Sequence, residues 1–217
     1  MPAPLPPHGG QPVATAGAPL AECRAAMIMV HGRNAGPPNI LELVPRFDQA
    51  GVAYLAPAAA DRTWYPYRFT EERARNEPGL SSGLAVLAHL VGLIETAGVP
   101  RQRTVLLGFS QGACLAAEFA VRNAGRFGGV IAYSGGLIGP DGTVWEYPGR
   151  FDGTPVFLGC SDVDSHVPRT RVDESAAVFE RMGAAVTERI YPGMGHLVND
   201  DEIAFTRTLL SRLAAPA

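Results

Sequence analysis

The chain predicts an α/β protein, a doubly wound and mostly parallel sheet folded as a single domain. Three observations point there. Short apolar runs suited to buried strands alternate with segments of helical pattern along the chain. The 217 residues suffice for one domain with a sizeable core and leave no room for a large second one. Apolar residues make up 47% and charged residues 18%, which describes a globular chain rather than a disordered one.

Taken in order, residues 1–12 read as a Pro/Gly-rich arm and residues 13–217 as the folded domain. Prolines at 2, 4, 6, 7 and 12 deny the arm a helix, and it is expected to be extended or loose, with His8 inert within it. Val13-Ala14-Thr15 suits a short edge strand. Ala26–Val30 is the first strong strand, running into the loop His31-Gly32-Arg33-Asn34-Ala35-Gly36-Pro37-Pro38. Asn39 is placed to cap a helix to about Ala50, with Ile40, Leu43, Val44 and Phe47 on one stripe. Val52–Ala56 is a strand opening into the aromatic stretch Thr63-Trp64-Tyr65-Pro66-Tyr67. The charged run Glu71–Glu77 reads as solvated surface, and a longer helix follows from Ser81 or Ser82 to about Ala97, stopped by Gly98 and Pro100.

Beyond Val105-Leu106-Leu107 and the helix-favouring segment that follows it, Gly129–Tyr133 is a strand and residues 137–153 are an excursion rich in turns. Pro155–Cys160 is a strand, Arg171–Met182 a helix, Val186–Tyr191 a strand and Asp201–Leu213 the last helix. No apolar run reaches the roughly 18 residues of a spanning helix, and the N-terminus does not read as a secretory signal. A net charge of −3 gives no reason to expect nucleic acid or a membrane as partner. The three cysteines, Cys23, Cys114 and Cys160, have no CxxC spacing, which fits a reducing cytoplasm and no metal site. Phosphate-loop motifs are absent, so no nucleotide cofactor is expected.

The chemistry centres on Gly108-Phe109-Ser110-Gln111-Gly112, which follows a strand directly and opens a helix. That is the context a G-x-S-x-G nucleophile elbow requires. A turn with no loop forces the serine towards positive φ, and only glycine neighbours let strand and helix pass so closely. The Gln111 N–H then points to where an oxyanion would form, at a helix N-terminus that favours negative charge. A serine nucleophile needs a base and a carboxylate to orient it, each on a strand-end loop. His196, after a strand and Gly-Met-Gly, is the expected base, while His31 is expected to support its loop and His89 to be structural or exposed. His166 lies too near Asp164 in sequence to complete a relay, and either Asp162 or Asp164 fits the acid. Trp64, Tyr65 and Tyr67, with Met194 beside the base, are expected to line a substrate pocket suited to small acyl or aryl groups.

Val30-His31-Gly32-Arg33, Gly108-Phe109-Ser110-Gln111-Gly112, Asp164-Ser165-His166-Val167-Pro168 and Tyr191-Pro192-Gly193-Met194-Gly195-His196 together resemble the phospholipase/carboxylesterase family. These are small α/β-hydrolases without a large lid, including bacterial carboxylesterases and acyl-protein thioesterases. The resemblance implies a triad of Ser110, Asp164 and His196, an oxyanion hole from the backbone N–H groups of Arg33 and Gln111, no cofactor, and a homodimer as a further expectation. Arg33-Asn34, Ala113 and Thr63–Tyr67 differ from the thioesterase members and look closer to bacterial carboxylesterases. The expected function is a cytoplasmic serine carboxylesterase acting on small esters through an acyl-enzyme. The alternatives are an acyl thioesterase or lysophospholipase acting on long chains, and a non-catalytic binding module on the same scaffold.

Overall fold

A computed structural model describes residues 5–215. Seven strands form one sheet in the order β1-β3-β2-β4-β5-β6-β7, comprising Val13–Gly17, Ala25–Val30, Val52–Pro57, Thr104–Phe109, Gly129–Tyr133, Pro155–Ser161 and Ala185–Tyr191 as β1 to β7 in chain order. Among the described residues only β1 runs antiparallel, paired with β3 from Val13↔Pro57 to Gly17↔Ala53. The other pairings are parallel. This is the mostly parallel, doubly wound sheet that the alternation of elements predicts, and it fits the α/β-hydrolase type that the family resemblance implies.

Side-chain alternation assigns each central strand to two cores at once. Met27, Met29, Val105, Leu107, Ile131 and Tyr133 face one side, under the helices α1 (Pro37–Leu41), α2 (Val44–Phe47) and α6 (Asp200–Ala214). Ile28, Val30, Leu106, Val130 and Ala132 face the other, under α3 (Gly79–Thr96), α4 (Gln111–Arg122) and α5 (Arg169–Arg181). Both faces are covered, so β2, β3 and β5 are buried at every position, and their sequences read as unbroken apolar runs.

Several local expectations are corrected. The helix expected over 39–50 is two short helices, because Pro45 carries no N–H and disfavours helical geometry just before it. Asn39 is not its N-cap. The helix opens at Pro37 and Pro38, and the Asn39 side chain accepts from the Gly36 N–H at 3.0 Å. The described part of the arm is packed rather than loose. His8 is buried, its ring bonding the Trp64 carbonyl at 2.8 Å and accepting from the Ala60 N–H at 3.0 Å. Residues 1–4 of the arm lie outside the described residues.

The run 71–77 is not simply solvated surface. Asn76 within it is fully buried, accepting from the Tyr67 N–H and donating to the Arg68 carbonyl, which shapes the preceding loop. Finally, α3 is long and apolar enough to cross a membrane by length and composition. Its apolar face is spent on the sheet and α4, with Leu80, Leu87, Leu90 and Ile94 in the core.

Candidate active site

The elbow is built by close approach. A Cβ on Gly108 would overlap the Gly112 carbonyl, and one on Gly112 would overlap the Val30 carbonyl. Only glycine lets α4 start so near β4 and β2. Ser110 takes φ 55° and ψ −121°, a conformation costly for a residue with a side chain. Its N–H is held by the Tyr133 carbonyl at 2.9 Å, so the turn is locked to β5. The hydroxyl is thereby aimed beyond the carboxyl ends of the strands, where such sheets place their sites.

Ser110 Oγ lies 2.8 Å from His196 Nε2, and His196 Nδ1 lies 2.7 Å from Asp164 Oδ2. With its proton on Nδ1, the imidazole donates to the carboxylate and accepts from the serine. Asp164 has a fully buried side chain, and its second oxygen accepts from the N–H groups of His166 at 2.8 Å and Val167 at 3.0 Å. Burial alone would raise its pKa, but the hydrogen bonds from His196 and those two N–H groups outweigh it and hold the carboxyl below the usual range. Asp162 has a different task. It accepts from the Gly193 N–H at 2.8 Å, while Ser161 Oγ accepts from the Gly195 N–H at 3.0 Å, and together they tether the loop that carries His196. Phe109 and His166 flank the His196 ring, with centroids at 5.0 and 4.8 Å.

On the other side of Ser110, the His31–Arg33 loop is fixed by a buried histidine. His31 accepts from the Ala59 N–H at 3.1 Å and donates to the Gly32 carbonyl at 2.8 Å, so it sits as the neutral ring. Burial lowers its pKa and favours that form. The Arg33 guanidinium donates to the carbonyls of Tyr65, Pro66 and Tyr67 at 2.7 to 2.9 Å, pinning the aromatic loop. Neither the Arg33 nor the Gln111 backbone N–H has a partner among the described residues. The Gln111 side chain welds the elbow to the same loop, accepting from the Trp64 N–H at 2.9 Å and donating to the Tyr65 carbonyl at 2.8 Å.

Beside Ser110 and His196 opens a cavity of about 680 Å³, walled by Tyr65, Tyr67, Phe69 and Phe109 and edged by Arg33 and Arg68. A second hollow of about 480 Å³ lies across His196 and Phe109, against Ile40, Leu43, Leu197 and Val198. Two residues expected in the pocket are placed elsewhere. Trp64 is fully buried behind the loop, its indole N–H donating to the His31 carbonyl at 2.9 Å. An indole N–H needs a buried acceptor, and the backbone of the first loop supplies it. Met194 lines neither cavity, and its sulfur accepts from the Asn199 amide at 2.9 Å. Sequence reasoning missed Phe109, although it is the variable residue preceding the serine in the elbow motif, and it missed Arg68 and Phe69, which carry no motif. Among the described residues no three His, Cys, Asp or Glu side chains converge as a metal site would require.

The phospholipase/carboxylesterase family model matches residues 48–214, more than half of the chain. The chain belongs to the phospholipase/carboxylesterase family. A crystal structure of a phospholipase/carboxylesterase from Dyadobacter fermentans is 37% identical, covers 97% of this chain and 99% of that one, and superposes with a TM-score of 0.89. A carboxylesterase from Mesorhizobium loti, at 21% identity and TM-score 0.67 over 88% of this chain and 91% of that one, shares the fold. Among curated relatives, acyl-protein thioesterase 1 of Eremothecium gossypii is 28% identical over 71% of this chain and 67% of its own length. That of Gibberella zeae is 29% identical over 55% and 52%. The chain spans about half to two thirds of the length of the curated relatives it matches. The His31–Arg33 loop lies before the part matched to the phospholipase/carboxylesterase family model.

Proposed function

We propose that the chain hydrolyses carboxylic esters through an acyl-enzyme formed on Ser110. The observation that carries this reading is the unbroken hydrogen-bond chain from Ser110 Oγ through His196 to buried Asp164, at 2.8 and 2.7 Å. His196 takes the Ser110 proton as the hydroxyl attacks the ester carbonyl, and Asp164 stabilises the imidazolium. The oxyanion is received by the Arg33 and Gln111 N–H groups. His196 returns the proton to the leaving alcohol, and water repeats the sequence to release the acid. An organophosphate should label Ser110 and no other residue, and Ser110→Ala should lower kcat by about four to six orders of magnitude with the fold intact. Labelling at Ser134, Ser161 or Cys160 instead would overturn the assignment.

The aromatic walls and modest volume suit short acyl and aryl esters. The curated relatives named acyl-protein thioesterase favour a second reading, long-chain thioester hydrolysis at the same serine. Measuring kcat/KM for acetyl to palmitoyl esters of one alcohol, below their micelle concentrations, separates the two. The short-chain reading expects a maximum well under twelve carbons, and a maximum at or beyond about that length replaces it with the second. The three free cysteines accord with a reducing compartment, and the protein is proposed to work in the cytoplasm.

A further inference from the structure

The charge around the catalytic cavity runs against the charge of the chain. The protein carries a net −3, yet the cavity is lined by two guanidinium groups, Arg33 and Arg68, and a single carboxylate, Glu71. That carboxylate is already taken, because Arg75 pairs with it at 2.6 Å while stacking over the Tyr67 ring at 4.4 Å. Arg33 spends its N–H groups on three carbonyls, which are dipoles and leave its positive charge uncancelled. Arg68 has no carboxylate within ion-pair reach among the described residues, and the one hydrogen bond its guanidinium makes there is a long 3.5 Å contact to the His166 carbonyl. That contact places the guanidinium over the loop bearing Asp164, and the His166 ring is itself 4.8 Å from the His196 ring. An exposed arginine without a carboxylate partner, lining the same partly enclosed cavity as His196, focuses positive potential on whatever occupies it.

Resting on the esterase reading above, we infer that the substrate is an ester that itself carries a carboxylate, held by Arg68 at the mouth of the cavity with the field of Arg33 behind it. The aromatic walls take the apolar part of the molecule, and the planar fork of Arg68 donates bidentately to the carboxylate. The carboxylate can belong to the alcohol half or to the acyl half of the ester, and the chemistry at Arg68 is the same for both.

The test uses the purified full chain and two pairs of substrates matched except in charge. 4-Acetoxybenzoate against 4-acetoxybenzamide places the charge on the leaving group, and phenyl hydrogen adipate against phenyl adipamate places it on the acyl group. At low ionic strength one pair should show a preference in kcat/KM of about tenfold for the anion, and which pair responds identifies the half recognised. The preference should shrink to about threefold or less in about 0.5 M salt. Arg68→Gln, checked for an unchanged melting temperature, should reduce the anion-to-neutral ratio at least about fivefold. Arg68→Glu should turn the preference towards a cationic ester such as 4-acetoxybenzyltrimethylammonium. Equal rates within both pairs, or a preference that survives both salt and Arg68→Gln, overturns the inference while leaving the esterase reading in place. Hydrolysis of none of the four overturns both.

Discussion

At the residue scale, the two aspartates of the β6–α5 loop show how one loop divides its labour. Asp164 Oδ2 faces His196, while Asp162 faces the Gly193 N–H from the solvent side. Asp164→Asn should leave the imidazole without its buried carboxylate and in the wrong tautomer, costing up to about 10⁴ in kcat. Asp162→Asn keeps an oxygen for Gly193 and should cost less than about tenfold. Steady-state kinetics on one neutral ester decides between them, and the reverse ranking would exchange the two roles. The sequence could name both candidates but not choose by spacing, because two residues on one loop differ only in the direction their side chains take. Trp64 shows the same limit from the other side. An aromatic stretch near the site is readable, but which ring faces the substrate and which the core depends on Gln111, His31 and Arg33 fixing the backbone between them.

At the scale of the element, α6 carries a cost within its own cap. Asn199 and Glu202 form a reciprocal capping box, with Glu202 N–H donating to Asn199 Oδ1 and Asn199 N–H to Glu202 Oε2, each at 2.9 Å. The side chain is fully buried beside Gly159 and Phe157, and its other oxygen has no partner among the described residues. Burial pushes its pKa up to about 7, only partly offset by the Asn199 N–H. The folded state therefore binds this proton more tightly than the unfolded chain, and the contribution to stability is lost as pH rises from about 4.5 through about 7. Glu202→Gln keeps the cap and removes the charge. It should be more stable than the wild type at pH 8 by ~1–3 kcal/mol, with the difference fading towards pH 5. Urea unfolding of both proteins at the two pH values measures this, and a difference independent of pH would show that the carboxyl is not carrying the effect. The elements themselves were mostly legible, since a strand buried on both faces has to be apolar throughout. The failures were local, at Pro45, where a stripe of helical pattern hid a break, and at Asn76, buried inside a charged run.

At the scale of the whole molecule, the sheet order brings together loops far apart in sequence. Ser110 follows β4, Asp164 follows β6, His196 follows β7 and Arg33 follows β2, and parallel pairing sets all four strand ends on one edge of the sheet. The sequence by itself determined the alternating architecture, the elbow and the chain order of serine, aspartate and histidine, because strand burial and a loop-free turn impose composition rules that show in a linear string. The family resemblance already pointed to Asp164, and only the tertiary structure decided that Asp162 tethers the loop of His196, that His8 and Trp64 belong to the core, and that Arg68 is left without a carboxylate. Each of those depends on where a side chain points once distant loops have met, and a contact between residues such as Arg68 and His166, 98 positions apart, leaves no periodicity or motif in the sequence to be read.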